Sequence, residues 1–110
     1  MNESFGEAAV PTLLQVDFPF QGPWGADAAG ALADLANVIE QAPGLRWKIW
    51  TENESEGMSG GIYLFNDEAN ARAYMAEHEA RLTAFGITGI RAMYFDVNEG
   101  LTAINRGPVG

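Results

Sequence analysis

The order in which hydrophobic periods succeed one another constrains this 110-residue chain most: alternation, helical spacing, alternation twice, helical spacing, alternation. Residues 12–18 set Leu14, Val16 and Phe18 against Leu13, Gln15 and Asp17, which predicts a half-buried strand that stops at Pro19. After the turn residues Gln21-Gly22-Pro23-Trp24-Gly25, Asp27 complements a helix start. Leu32, Leu35, Ala36 and Ile39 then recur at helical spacing until Pro43-Gly44. A second strand over residues 45–52 places Leu45, Trp47 and Ile49 on one side and Arg46, Lys48 and Trp50 on the other. Residues 53–57 turn the chain back. The third strand, residues 59–65, opens with Gly60-Gly61, a pair that invites a bulge or a close backbone approach. Asn66 or Asp67 caps a second helix whose stripe is Ala71, Tyr74, Met75, His78, Leu82 and Phe85. Gly86 ends it, and residues 88–97 form the fourth strand.

Right-handed crossovers put both helices of this β-α-β-β-α-β order on one face of a four-stranded antiparallel sheet, a ferredoxin-like α+β fold. The length suits one domain. Residues 1–11 are expected to be a flexible N-terminal segment, residues 12–97 the folded domain, and residues 98–110 a tail docking on an edge or on the partner subunit through Leu101 and Ile104. The sheet's other face would expose Leu13, Trp50 and either Tyr63 with Phe65 or Ile62 with Leu64, so a second copy of the sheet is the simplest cover and a homodimer is expected.

Fifteen acidic against six basic residues leave a net charge of -9, the wrong sign for nucleic acid or an anionic membrane as partner. Without cysteine the chain holds no disulfide, thiolate nucleophile or cluster, and a single histidine rules out a multi-histidine metal site in one subunit. No metal is therefore expected. The first ten residues carry Glu3 and Glu7 with no basic residue, and no apolar run reaches membrane-spanning length, so a cytoplasmic location is expected. Asn53-Glu54-Ser55 reads as an acidic hairpin turn. Gly57, Gly60 and Gly61 do not open a helix after a strand and make no phosphate loop.

Several blocks together resemble one family: Thr12-Leu13-Leu14-Gln15, Gly22-Pro23-Trp24-Gly25, the run from Pro43 to Glu52, Gly60-Gly61-Ile62-Tyr63-Leu64-Phe65, and Phe95-Asp96-Val97-Asn98-Glu99. In this order they are similar to the YdhR-type mono-oxygenases, over residues 12–105. The resemblance implies a dimeric α+β barrel related to the antibiotic-biosynthesis mono-oxygenases, which oxidise aromatic substrates with molecular oxygen and with no flavin or metal cofactor.

His78 is the sharpest polar signal, because the apolar stripe points its ring between helix and sheet. It would accept a phenolic proton, ligate a haem iron, or sit as a core histidine satisfied by a backbone carbonyl. Trp47, Tyr74, Tyr94 and Phe18 are the candidate aromatic walls, and Trp50 is assigned to the dimer interface. In the fourth strand, Arg91 facing out would turn Ile90, Ala92, Tyr94 and Asp96 toward the helices. The opposite phase would bury Met93, Phe95 and Val97. The first is preferred, since an unpaired arginine is costly to bury. Asp96 then orients His78, serves as a second acid-base group, or holds local backbone. The leading expectation is a cofactor-free mono-oxygenase acting on a phenol, hydroquinone or anthrone-like ring. The alternatives are a haem-binding or haem-degrading protein with His78 as axial ligand, and a non-catalytic dimeric module that binds a small aromatic.

Overall fold

The computed structural model describes residues 10–109; residues 1–9, most of the expected N-terminal segment, and Gly110 lie outside the described residues. The elements are β1 (Thr12–Pro19), α1 (Gly25–Ala31), α2 (Ala33–Glu40), β2 (Leu45–Asn53), β3 (Met58–Phe65), α3 (Glu68–Ala84), β4 (Arg91–Asp96) and α4 (Glu99–Ile104). A 3-10 turn at Glu54–Glu56 joins β2 to β3, with the Asn53 side chain accepting from the Glu56 amide. The antiparallel sheet runs β2-β3-β1-β4, so the α+β core has the predicted order of strands and helices.

Three helical features differ from expectation. The first helix is broken at Leu32, which leaves the helical region (φ -107°, ψ 8°) and separates α1 from α2. Gly25-Ala26-Asp27-Ala28-Ala29-Gly30-Ala31 supplies only small side chains beyond Asp27, so little apolar packing holds α1 in line with α2. The short α4 is also added after β4. In α3 the Asp67 carboxylate accepts from the Asn70 amide and caps the helix. Its stripe buries Ala71, Tyr74, Met75, His78 and Leu82 as expected, but Phe85 is 72% exposed, because it forms the C-cap, where the helical spacing ends.

The core lies between the sheet and the helices. Leu14, Val16 and Phe18 from β1, and Tyr63 and Phe65 from β3, meet Tyr74, Met75 and Leu82 of α3 and Ile39 of α2. This settles the third strand: Tyr63 and Phe65 face the helices, and Ile62 and Leu64 the other side. In β4 the preferred phase holds. Tyr94 pairs with Leu14 and Ala92 with Val16 on the helix side, while Arg91 faces out and bonds Asp17 at 2.9 and 3.2 Å. The strand is shorter than expected.

Candidate functional site

The geometry of the site begins with a β-bulge. Leu45 pairs with Phe65, but the next pair is Trp47 with Leu64, leaving Arg46 as the extra residue. A slip of one residue sends every later side chain to the opposite face. Lys48 therefore pairs with Tyr63 and Trp50 with Gly61 on the helix side, while Trp47 and Ile49 lie on the open face. This overturns the simple alternation expected from sequence. Trp47 is not a wall of the helix-side cavity, and Trp50 does not belong to the open face. Trp47 instead donates its indole N–H to the Pro108 carbonyl at 2.8 Å, and Arg46 donates to the Val109 carbonyl at 3.0 Å. The end of the chain is thereby strapped to β2.

On the helix side a cavity of about 190 Å³ opens between β1, β2, β3, α2 and α3, walled by Phe18, Phe20, Leu35, Trp50, Leu82 and Phe85. The lining is predominantly apolar, as suits a flat ligand. It adjoins an outer cleft of about 590 Å³ along α1 and α2, with Phe20, Leu32, Trp50 and Ser59 common to both. At the outer cleft both carboxylate oxygens of Glu52 accept from the Gly25 amide, at 3.0 and 3.1 Å, which ties the start of α1 to β2.

Two side chains with basic nitrogen line the inner cavity. His78 is only 3% exposed, and its ring stacks on Tyr74 with centroids 5.1 Å apart. Its Nδ1 lies 3.2 Å from Nη2 of Arg81. A guanidinium only donates, so Nδ1 accepts and the neutral ring carries its proton on Nε2. Burial above all, then the charges of Lys48 and Arg81, pushes the His78 pKa down to about 3. The expected base is in this arrangement a neutral hydrogen-bond donor at physiological pH.

Lys48 is the group that sequence reasoning missed. Its Nζ sits 3.4 Å from the centroid of the Trp50 ring and 4.7 Å from that of Tyr63. Burial, then the charge of Arg81, lowers its pKa to about 7. Among the described residues it has no carboxylate partner; the ion pairs are Arg72–Glu68 and Arg91–Asp17. Gly61 makes the room, since a Cβ there would come within 2.7 Å of Lys48 Cε. The Gly60-Gly61 pair signalled a close approach, and the residue that fills the space is a lysine on the neighbouring strand.

Of the candidate residues, His78 and Phe18 line the cavity, and Tyr74 stands directly behind His78 with its hydroxyl donating to that of Tyr63 at 3.0 Å. Burial raises the pKa of both phenols. Tyr94 faces the helix layer but on edge strand β4, outside the cavity, with the Arg72 guanidinium 4.1 Å above its ring. Asp96 is exposed and pairs with Thr12, at the far end of β1 from Phe18 and about 20 Å along the strand. The structure does not bring Asp96 to His78.

Among the described residues no group of three or more His, Cys, Asp or Glu side chains is placed to hold a metal ion, and no helix is long and apolar enough to cross a membrane. No curated protein matches the chain. A family model described as "Putative mono-oxygenase ydhR" matches residues 13–108, which take in all of the sheet but its first residue, both strands of the bulge and every residue lining the cavity. With nearly its full length matched, the chain belongs to the ydhR mono-oxygenase family.

Proposed function

We propose that the protein is a mono-oxygenase that oxidises a small electron-rich aromatic, a hydroquinone, phenol or anthrone-like ring, with molecular oxygen and without flavin or metal. The observation that carries this reading is the aromatic-walled cavity with Lys48 and His78 on its lining. An ionised ring of this kind itself passes electrons to oxygen, so the protein supplies proton handling, orientation and a dry enclosure. In the anthrone case a ring methylene becomes a carbonyl and the second oxygen atom leaves as water, with the ring as the source of all four electrons. Phe18, Phe20 and Trp50 would hold the ring, and the outer cleft would admit its substituents.

Oxygen uptake with a panel of hydroquinones and anthrones tests this. Uptake in the native protein and its loss in Leu35→Trp, which fills the cavity, is the expected result. No uptake with any member, or equal rates in a folded Leu35→Trp variant, would overturn it.

The working unit is proposed to be a homodimer formed by the open face. Ile49 is 53% and Phe95 47% exposed there, beside half-buried Leu13, Ile62 and Met93, a patch that a symmetric copy would cover. Sedimentation equilibrium is expected to show a dimer that Ile49→Glu weakens. A single 11.9 kDa species throughout the micromolar range would reject it.

A further inference from the structure

We propose that the inner end of the cavity is a phenolate site, in which Lys48 Nζ and His78 Nε2–H hold one ionised ring oxygen and Lys48 receives the proton that oxygen gives up. The inference rests on the aromatic-ligand part of the functional reading and not on the oxygen chemistry.

Its first support is charge. The chain as a whole carries -9, yet the ionisable side chains at this cavity, Lys48 and His78 on its lining and Arg81 behind His78, are nitrogen bases, and among the described residues no carboxylate lines it. An ammonium placed against an apolar lining without a counter-ion is costly, and an anionic ligand would remove that cost. Among the described residues the surroundings of Lys48 offer no internal substitute. From β3 it faces Tyr63, whose hydroxyl accepts the bond from Tyr74; from α3 it meets the influence of His78 and Arg81; and β1 and α2 present Phe18, Leu32 and Leu35 to the cavity. The nearest acid on its own strand that borders the cleft, Glu52, is engaged with the Gly25 amide.

The second support is donor geometry. Arg81 turns its guanidinium to His78 Nδ1 and so commits the imidazole to donating through Nε2. Of the basic groups on the lining, one ammonium and one imidazole N–H then face a ligand. That set suits a single oxygen, whereas a carboxylate is best met by the two parallel donors of a free arginine fork. The third is proton affinity. With its pKa lowered to about 7 by burial and then by Arg81, the Lys48 amine is partly neutral at physiological pH. When an acidic phenol enters, its O–H bond breaks, the proton passes to Nζ, and the phenolate pairs with the ammonium so formed. The aromatic faces of Trp50 and Tyr63 help hold that ammonium in place.

The probes are 4-nitrophenol, whose ionisation is visible in its absorbance, its methyl ether 4-nitroanisole, and 4-nitrobenzoate. The native protein is expected to bind 4-nitrophenol with the phenolate band present at a pH where the free compound is mostly protonated, and at least about tenfold more tightly than the ether or the benzoate. Lys48→Met is expected to abolish the bound phenolate band and to leave ether binding within about twofold. His78→Gln, which keeps an N–H donor, should retain more of the affinity than His78→Leu. Equal affinity for phenol and ether in the native protein, benzoate bound as tightly as the phenol, or an unchanged band in Lys48→Met would each overturn the proposal, and the first two need no variant to fold. Phenolate binding without oxygen uptake from any hydroquinone would support this site and remove the oxygenase reading; uptake without a phenolate band would do the reverse.

Discussion

Toward the start of α3, the helix-facing side of the sheet is filled. Phe65 is fully buried, Tyr63 stacks on it, and Tyr74 closes over both with ring centroids 4.9 and 5.4 Å away. Further along β3, Ser59, Gly60 and Gly61 offer the helices almost no side chain, and the layer hollows into the cavity. The same strand thus builds a dry core at one end and a cavity at the other. The difference lies in side-chain volume: three aromatic rings interdigitate to native density, whereas glycines leave a gap that Lys48 only partly fills.

The sharpest way to break that contrast is to hollow the filled end. Phe65→Ala is expected to cost about 3–5 kcal/mol in chemical denaturation, since a fully buried ring leaves a cavity with little means of collapse. At the hollow end, Gly60→Ala and Gly61→Ala should separate. A Cβ at Gly60 meets the backbone of β1 and should cost about 1–3 kcal/mol or more. At Gly61 its nearest neighbour is the movable Cε of Lys48 at 2.7 Å, with the Ile49 carbonyl oxygen and the Tyr63 ring at 3.3 Å, so stability should fall by less than at Gly60, by about 1 kcal/mol, while 4-nitrophenol affinity drops severalfold. Equal losses at the two glycines would contradict the register.

Lys48→Met sharpens the comparison through pH. Native Lys48 has its pKa lowered from 10.5 to about 7, so between those values the unfolded chain holds the proton that the native state has released. Stability of the native protein therefore rises as pH goes from 7 toward 10.5, and the full cost of the buried ammonium is present below pH 7. The methionine variant should be more stable by about 1–3 kcal/mol near pH 6, an advantage that disappears above pH 10. Melting curves at both pH values decide it, and a constant difference would refute the burial argument. His78, lowered from 6.5 to about 3, adds acid sensitivity: native stability should fall as pH drops from 6.5 toward 3, less so in His78→Gln.

Smaller effects belong to single bonds. Tyr74→Phe removes the hydroxyl pair with Tyr63 and leaves one buried hydroxyl unpartnered, at about 1 kcal/mol. Arg91→Ala breaks an ion pair whose arginine side chain is 63% exposed, and should change stability by no more than about 0.5 kcal/mol. An effect there as large as that of Tyr74→Phe would mean the open face is covered in solution.

Alternating and helical spacing in the sequence determined the order of elements, a cap at Asn66 or Asp67, the buried stripe of α3 and, through the cost of burying Arg91, the phase of β4. Each depends on neighbours within a turn or a strand, and on which side chains water will not release. His78 and Phe18 were legible as cavity residues for the same reason. The side of the sheet on which Trp47, Lys48 and Trp50 lie was decided only by tertiary structure. One extra residue at Arg46 inverts the strand, and whether a strand bulges depends on its register with β3 and on the straps from Arg46 to Val109 and Trp47 to Pro108, contacts more than sixty residues away in sequence. Local periodicity states which residues share a face only while pairing is regular, and the candidate site lies on the stretch of β2 that follows the departure from it.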